Sequence, residues 1–317
     1  MSRRGWLLFS LIGFIWGVPY LFMKVAVDEL SIPLIVFSRL VIGAAFLIPL
    51  AIRAKSKATV RPYLKYILFY AFLEMVIPWT LITSAQKDLS SGVVALLVAT
   101  VPIWATLFAH HTGDSTAAHR VRIFGIVIGL IGIILIVGIE SLSDFGNTLS
   151  LLQVLIAAAS YAWAVNMVTR KVVGISGLAI NGIAMFASSL LFAPFALTSL
   201  PEEAPSLNAI LATFGLGILC SGIAFWVFFI VLDEIGPARA SLVVYPNTAV
   251  AVVLGIILLS EPITWQSQLD CLWCLLDHIL QAESLPQPQS HLRTSYSTNP
   301  NFCSDLGSFC QFEITLT

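Results

Sequence analysis

Runs of about twenty apolar residues, separated by short polar segments, are the feature that most constrains this chain. A helix of about 20 residues spans the ~30 Å hydrocarbon core of a bilayer. The short alternating segments typical of barrel strands do not occur, so the runs predict an all-α integral membrane protein. Nine runs qualify as predicted spans: residues 6–26, 32–52, 64–84, 92–110, 123–139, 151–169, 177–199, 209–232 and 240–259.

The composition agrees with lipid as the main solvent of the surface. Charged residues make up 10% of the 317 residues and apolar residues 58%, whereas a soluble domain carries roughly 25% charged residues. A bilayer is therefore the predicted partner, and a net charge of −1 gives no basis for a nucleic-acid partner. No G-x-x-x-x-G-K-[ST] loop occurs, so no ATPase of that type is predicted.

Basic residues are distributed unevenly between the two sides of the predicted bundle. With the N-terminus inside, twelve Lys and Arg residues fall on the inner side, and Lys24 and Lys87 fall on the outer side. The positive-inside rule then predicts a multi-pass protein of the cell (plasma or inner) membrane with a cytoplasmic N-terminus. The inner set consists of Arg3, Arg4, Arg53, Lys55, Lys57, Arg61, Lys65, Arg120, Arg122, Arg170, Lys171 and Arg239.

The sequence repeats itself at an offset of about 147 residues. "WGVPYLFMK" at 16–24 aligns with "WAVNMVTRK" at 163–171, and Trp79 falls on Trp226. Near an offset of 144, "SGVVALLVATVP" overlays "GPARASLVVYP". The matches keep their order through both halves, which predicts a duplicated unit of five spans. Because five is odd, the two copies are inverted, an arrangement that places a solute site near the bilayer midplane.

Four segments of the sequence carry a resemblance to a known family. They are "FIWGVPYLFMKVAV", "PLIVFSRLVIGAAFL" with Arg39, "GIVIGLIGIILIVG" and "GPARASLVVYPNTAVAVVLGIILLSEPITWQ". In them the chain resembles the EamA-type transporters of the drug/metabolite transporter superfamily, over about residues 6–269. The resemblance implies two repeats of five helices, ion- or exchange-coupled movement of small metabolites, and no ATP hydrolysis.

The predicted domains are a first five-helix repeat (1–140), an incomplete second repeat with helices six to nine (141–269) and a tail (270–317). In the tail, "CLWCLLDHIL" is too short and too polar to span. The following "PQPQSHLRTSYSTNPNF" has a composition typical of disorder. The tenth helix is therefore predicted to be missing or replaced. One hypothesis is a lost reading frame or substituted end after Leu269, which translation of the other two frames would test.

Apart from Lys65 at the very start of the span 64–84, three charged residues lie within the predicted spans. Arg39 lies roughly 12 Å inside the outer start of its span, and Glu74 lies about 15 Å from the outer face. At these similar depths the two are expected either to form an ion pair or to line one polar cavity. A substrate or coupling role and a purely structural role both remain open. Lys24 is expected to snorkel to the outer interface.

Aromatic and polar residues at membrane depth complete the predicted site. Equivalent positions of the two halves hold Trp16, Trp79, Trp163 and Trp226, which would either face a cleft or pack between helices. Pro102 and Pro246 are expected to interrupt their helices and free backbone carbonyls. The further predicted lining residues are Tyr20, Tyr161, Asn166, Tyr245 and Asn247.

No cofactor and no metal site are predicted. His110, His111, His119 and Asp114 favour a solvated loop, and Cys271-x-x-Cys274 is half of a zinc or redox signature. The predicted function is secondary transport, not catalysis, of a small metabolite, amino acid or drug-like solute by alternating access, in the direction of efflux. A coupling proton or ion is left open as a partner. The alternative is a truncated or frame-shifted membrane protein that inserts but does not transport.

Overall fold

Helices account for all regular secondary structure in the described residues. The computed structural model describes residues 3–54, 58–111, 145–235, 240 and 243–260. The helices are α1 (Arg3–Val27), α2 (Ile32–Ala54), α3 (Leu64–Ala71), α4 (Ile77–Ala85), α5 (Ser91–Val98), α6 (Val101–His111), α7 (Phe145–Lys171), α8 (Gly177–Leu197), α9 (Leu207–Gly217), α10 (Ala224–Ile235) and α11 (Val244–Leu259). In this bundle α2 packs along α8, while α1 packs against α9, α10 and α11.

Six helical runs in the described part are long and apolar enough to cross a membrane. They are Arg3–Val27, Ile32–Ala54, Arg61–Ala85, Thr148–Lys171, Gly177–Leu197 and Leu207–Leu232. Six of the nine predicted spans are thereby confirmed, namely those at 6–26, 32–52, 64–84, 151–169, 177–199 and 209–232.

The remaining three predicted spans have different outcomes. The run at 92–110 is not one helix, because α5 ends at Val98 and α6 begins at Val101. Pro102 lies in the first turn of α6, where its missing N–H breaks no helical hydrogen bond. Pro246 likewise lies in the first turn of α11, which is shorter than the predicted span at 240–259. The predicted span at 123–139 and the predicted tail lie outside the described residues.

Two of the spans contain a π-helical segment at corresponding positions. Phe72–Val76 joins α3 to α4, and Ile218–Ile223 joins α9 to α10. The offset of 147 that aligns Trp79 with Trp226 places the first segment on residues 219–223, inside the second. A π-segment is a local widening of the helix and occurs frequently at functional sites. Both composite spans are therefore deformed at the same point of the sequence repeat.

Side-chain contacts fix the relative direction of α1 and α7. Near the end of α1, the Lys24 Nζ donates to the main-chain oxygens of Gln86 and Leu89, at 2.6 and 3.3 Å. Near the start of α7, the Ser150 hydroxyl donates to Asp88 Oδ2 at 2.6 Å. Since residues 86–89 form one loop, α1 ends where α7 begins, and the two helices run in opposite senses.

The same contacts give Lys24 a structural role. Its ammonium group satisfies carbonyl oxygens at and beyond the C-terminal end of α4, where a positive charge is favourable. The side chain ties α1 to the loop between α4 and α5, and its placement at the outer interface stays a prediction.

The close packing of α1 against α11 depends on glycine. A Cβ atom on Gly17 would lie 2.5 Å from side-chain carbons of Val250 and 2.7 Å from the main-chain oxygen of Asn247. A Cβ on Gly13 would lie 2.8 Å from the Pro246 ring. Small residues allow helix backbones in a membrane to approach in this way. Because the Asn247 oxygen belongs to the backbone, it cannot rotate away from an added methyl group.

Substitution Gly17→Ala is expected to force α1 away from α11 and to lower the apparent melting temperature in detergent. The expected destabilisation is about 1–3 kcal/mol, the range for overpacked sites. Gly182→Ala is the matched control, because its Cβ would come no closer than 3.3 Å to any neighbouring atom, a side-chain carbon of Ile48. Equal melting temperatures for the two variants would contradict this account of the contact.

Candidate functional site

Arg39 on α2 is held inside the bundle by two contacts. Its side chain is 9% exposed, and its Nε donates to the Ser221 hydroxyl oxygen at 2.8 Å. The guanidinium carbon lies 3.7 Å from the centroid of the Trp79 ring. A desolvated cation–π contact of this kind contributes about 2 kcal/mol. The charge therefore connects α2 to α4 and to the second π-segment.

Ser221 is suited to this role by the π-segment that contains it. Its hydroxyl donates to the main-chain oxygen of Leu216, five residues earlier, at 2.9 Å. With its proton committed to that carbonyl, the Ser221 oxygen presents a lone pair to the Arg39 Nε–H. The π-segment thus supplies an oriented acceptor at the centre of an otherwise apolar span.

Two tyrosines and a cysteine surround the guanidinium group. Tyr20, Tyr161 and Cys220 all interact electrostatically with Arg39. The Tyr161 hydroxyl also forms a hydrogen bond with Trp79, in which the indole N–H is the only possible donor. These side chains bring α1, α7 and the second π-segment to the same point as α2 and α4.

Glu74 lies in the first π-segment and is the acidic member of the site. Its Oε2 is fully buried and has no hydrogen-bond partner among the described residues. Tyr70 and Tyr161 are its electrostatic neighbours. A side chain of α7 stabilises the first π-segment, because the Ser160 hydroxyl donates to the main-chain oxygen of Leu73 at 2.6 Å.

Arg39 and Glu74 form no ion pair with each other in the described part of the chain. Arg39 contacts Ser221 and Trp79 instead, so of the two predicted arrangements the direct ion pair is wrong. The other predicted arrangement, in which both line one polar cavity, stays a prediction. Tyr161 is the neighbour that the two charged groups share.

The four aligned tryptophans occupy two kinds of environment. Trp79 is buried and lies against Arg39. Trp16 packs against Phe225 and Phe228, with ring centroids 5.9 and 4.7 Å apart.

The other two tryptophans lie on the outside of the bundle. Trp163 is 50% exposed and Trp226 is 42% exposed. Trp163 contacts Phe69 and Phe108, at centroid distances of 6.3 and 5.8 Å. The structure therefore brings Trp16 and Trp79 into the interior and leaves their repeat partners at the surface that lipid would cover.

The predicted polar lining residues are likewise divided. Tyr20 is buried beside Arg39. Asn247 is 8% exposed, and its Oδ1 accepts a hydrogen bond from Thr248 at 3.3 Å. Asn166 is half-buried near the end of α7. The side chain of Tyr245 lies outside the described residues.

Several polar residues of the interior were not predicted from the sequence. They include Ser221 and Cys220, and also the Tyr70–Asn181 pair, in which the hydroxyl donates to Asn181 Oδ1 at 3.2 Å. One signal was present for Ser221. The offset of 147 pairs it with Glu74, so the two π-segments carry a polar residue at the same register. In the described residues no group of His, Cys, Asp and Glu side chains could hold a metal ion; His119, Asp114, Cys271 and Cys274 lie outside them.

Substitution Ser221→Ala is expected to destabilise the protein by about 1–3 kcal/mol, because the buried Arg39 Nε–H loses its acceptor. Ser188→Ala is the control, since the Ser188 hydroxyl is also buried but has no hydrogen-bond partner among the described residues. Thermal unfolding in detergent measures both effects. A Ser221→Ala variant as stable as Ser188→Ala would mean that the contact contributes nothing.

Comparison with known proteins places this chain in a family. The model of the EamA-like transporter family matches the chain twice, over residues 3–138 and 149–276. The "Uncharacterized transporter YoaV" of Bacillus subtilis is 30% identical over 79% of this chain and 87% of its own length. The "Uncharacterized inner membrane transporter YedA" of Escherichia coli K12 is 29% identical over 76% and 78%.

A solved structure supports the fold alone. Titled "Crystal structure of protein", it superposes with a TM-score of 0.63 at 15% identity, and the match covers 94% of this chain and 100% of the other. The two family matches together cover most of the sequence, and the described helices are those of a protein that crosses the membrane several times. The chain therefore belongs to the EamA-like transporter family and is a multi-pass membrane transporter.

Proposed function

We propose that this transporter moves a small organic solute across the cell membrane by alternating access between two inverted halves. The halves are residues 1–140 and 141–269, and the cytoplasm holds the N-terminus. The observation that carries the proposal is the contact of Arg39, on the first half, with Ser221 in the π-segment of the second. A polar contact between the halves at membrane depth is where a solute can bind and where the halves can separate.

Three observations support the division into inverted halves. The family model matches the chain twice. The π-segments Phe72–Val76 and Ile218–Ile223 coincide under the repeat offset. The helices α1 and α7, which open the two halves, run in opposite senses.

Polar contacts link the halves at one end of the bundle. Glu29 accepts hydrogen bonds from the main-chain N–H and the hydroxyl of Ser206, at 2.6 and 2.5 Å. Ser31 donates to the main-chain oxygen of Ser199 at 2.9 Å. The hydrogen bonds from Ser206 lower the pKa of Glu29, so this carboxylate stays ionised at neutral pH and the contact weakens only as the solution is acidified.

The opposite end is linked by different contacts. The Ala58 N–H donates to the Gly174 oxygen at 3.0 Å, and Arg4 lies 4.0 Å from Glu234. Alternating access requires the two ends to open in turn. Exposed polar contacts suit such opening, because water replaces their hydrogen bonds when they separate.

We further place the coupling proton on Glu74. A carboxyl oxygen without a partner at this depth favours the neutral form of the group, because an unpaired charge is costly there. Rotation of the halves that brings water to Glu74 would allow the proton to leave. Transport would then be coupled to proton movement without ATP. We propose that the solute moves outward.

Uptake into proteoliposomes tests the proposed function. The probes are radiolabelled organic acids, amino acids and their amides, added with and without an imposed pH gradient. Saturable uptake of at least one solute, reduced by a protonophore and absent from empty vesicles, is the expected result. Uptake no greater than in empty vesicles would instead support the alternative of a chain that inserts without transporting.

Substitution Glu74→Gln is expected to abolish the pH dependence of transport, because the amide has nearly the same shape but cannot release a proton. Glu202→Gln, at an exposed acidic position, is the control and should retain the wild-type pH profile. Initial rates measured in vesicles over a series of pH values decide between them. A wild-type profile in Glu74→Gln would exclude Glu74 as the coupling group.

A further inference from the structure

We propose that the solute carries a carboxylate, that Arg39 binds it, and that the rest of the solute is apolar and preferably aromatic. The inference rests on the proposed function, because it assigns a class of solute to the same site.

Arg39 has donors that the described contacts do not use. A guanidinium group has five N–H donors, and in this protein the Nε–H is committed to Ser221. The two terminal nitrogens have no hydrogen-bond partner among the described residues, and neither of them is fully buried. Each therefore keeps some exposed surface, in agreement with the small exposed fraction of the residue.

The positive charge of Arg39 is not balanced by a neighbouring anion among the described residues. Glu74 is not paired with Arg39, and the electrostatic neighbours of the guanidinium group are the hydroxyls of Tyr20 and Tyr161 and the thiol of Cys220. None of these supplies a formal negative charge while it keeps its proton. A cation inside the bundle without a counter-ion among the described residues is costly. An anionic solute would supply the missing charge.

The contacts of Arg39 also restrict the orientation of its guanidinium group. The Trp79 ring lies against one side of the guanidinium group, 3.7 Å from its central carbon, and the bond to Ser221 anchors its Nε. The terminal nitrogens then form a fixed pair of donors that fits the two oxygens of a carboxylate side by side. This geometry favours a planar carboxylate over a solute with one acceptor atom.

Aromatic residues near Arg39 indicate the character of the remainder of the solute. Trp16 lies one turn from Tyr20 on α1, and Phe225 lies four residues after Ser221. The two rings contact each other at a centroid distance of 5.9 Å. Two aromatic rings therefore lie about one helical turn along from two neighbours of Arg39, Tyr20 and Ser221. We expect a small aromatic or branched apolar group attached to the carboxylate to pack there.

Binding to the purified full-length protein in nanodiscs tests the inference. Benzoate, phenylacetate and 3-phenylpropionate are each compared with the corresponding amide in thermal-shift titrations. The acids are expected to raise the melting temperature in a concentration-dependent manner and the amides are not. Equal shifts for acids and amides, no shift for any acid, or a larger shift with phenyl phosphate than with benzoate would overturn the carboxylate assignment.

Variants locate the binding to Arg39. Arg39→Gln is expected to abolish the acid-dependent shift, whereas Arg53→Gln, an exposed arginine in the last turn of the same helix, retains it. If Arg39→Gln does not fold, Arg39→Lys keeps the charge but not the paired donors and should weaken acid binding at least tenfold. Unchanged acid affinity in Arg39→Lys, or a retained shift in Arg39→Gln, would contradict the assignment.

The vesicle experiment separates failure of this inference from failure of the proposed function. Acid binding that depends on Arg39, without any uptake, would remove the transport mechanism and leave the binding site intact. Uptake that is unaffected by Arg39→Gln would leave transport intact and remove Arg39 as the determinant of the solute class.

Discussion

The contact of Arg39 with Trp79 and Ser221 is the constraint on which the account of this protein depends. A cation inside a bundle of apolar helices must have partners, and here those partners come from α4 and from the second π-segment. The same side chain that satisfies a structural requirement also leaves two donors accessible. A residue that both holds the proposed halves together and offers a binding surface couples solute occupancy to the contact between them.

The contact of Arg39 with Ser221 involves one of two corresponding π-segments, and Glu74 lies in the other. Glu74 and Ser221 occupy the same register of the repeat, one in each deformed span. The first is a carboxyl group with an unpaired oxygen and the second is a hydroxyl group bound to arginine. In the proposed arrangement the duplicated architecture has thus become asymmetric at its centre, with an acid on one side and a cation bound on the other. Such an asymmetry allows one site to respond to a proton and the other to a solute anion.

The sequence was sufficient for the class and for six spans, but not for which residues meet. Length and composition decide whether a run can cross a bilayer, and position along the run decides depth. The side of the helix on which a residue points is poorly encoded, because lipid-facing and protein-facing positions are both apolar. For that reason Trp163 and Trp226 were grouped with Trp16 and Trp79, although the structure leaves them exposed. For the same reason the sequence left a direct Arg39–Glu74 ion pair open as one of two arrangements, and the described residues do not form it. The break before Pro102 was hidden inside a continuous apolar run.

The claim that two inverted halves meet at Arg39 is tested most directly by the sidedness of the loops. Single cysteines are introduced by Arg53→Cys, Lys87→Cys, Lys171→Cys and Glu202→Cys, all at exposed positions, in a chain whose native cysteines are replaced. A membrane-impermeant maleimide is then applied to intact and to permeabilised cells. The account predicts labelling at positions 87 and 202 in intact cells, and labelling at 53 and 171 only after permeabilisation. Labelling of position 171 from outside, with position 53 protected, would mean that α1 and α7 cross in the same direction and would contradict the inverted arrangement.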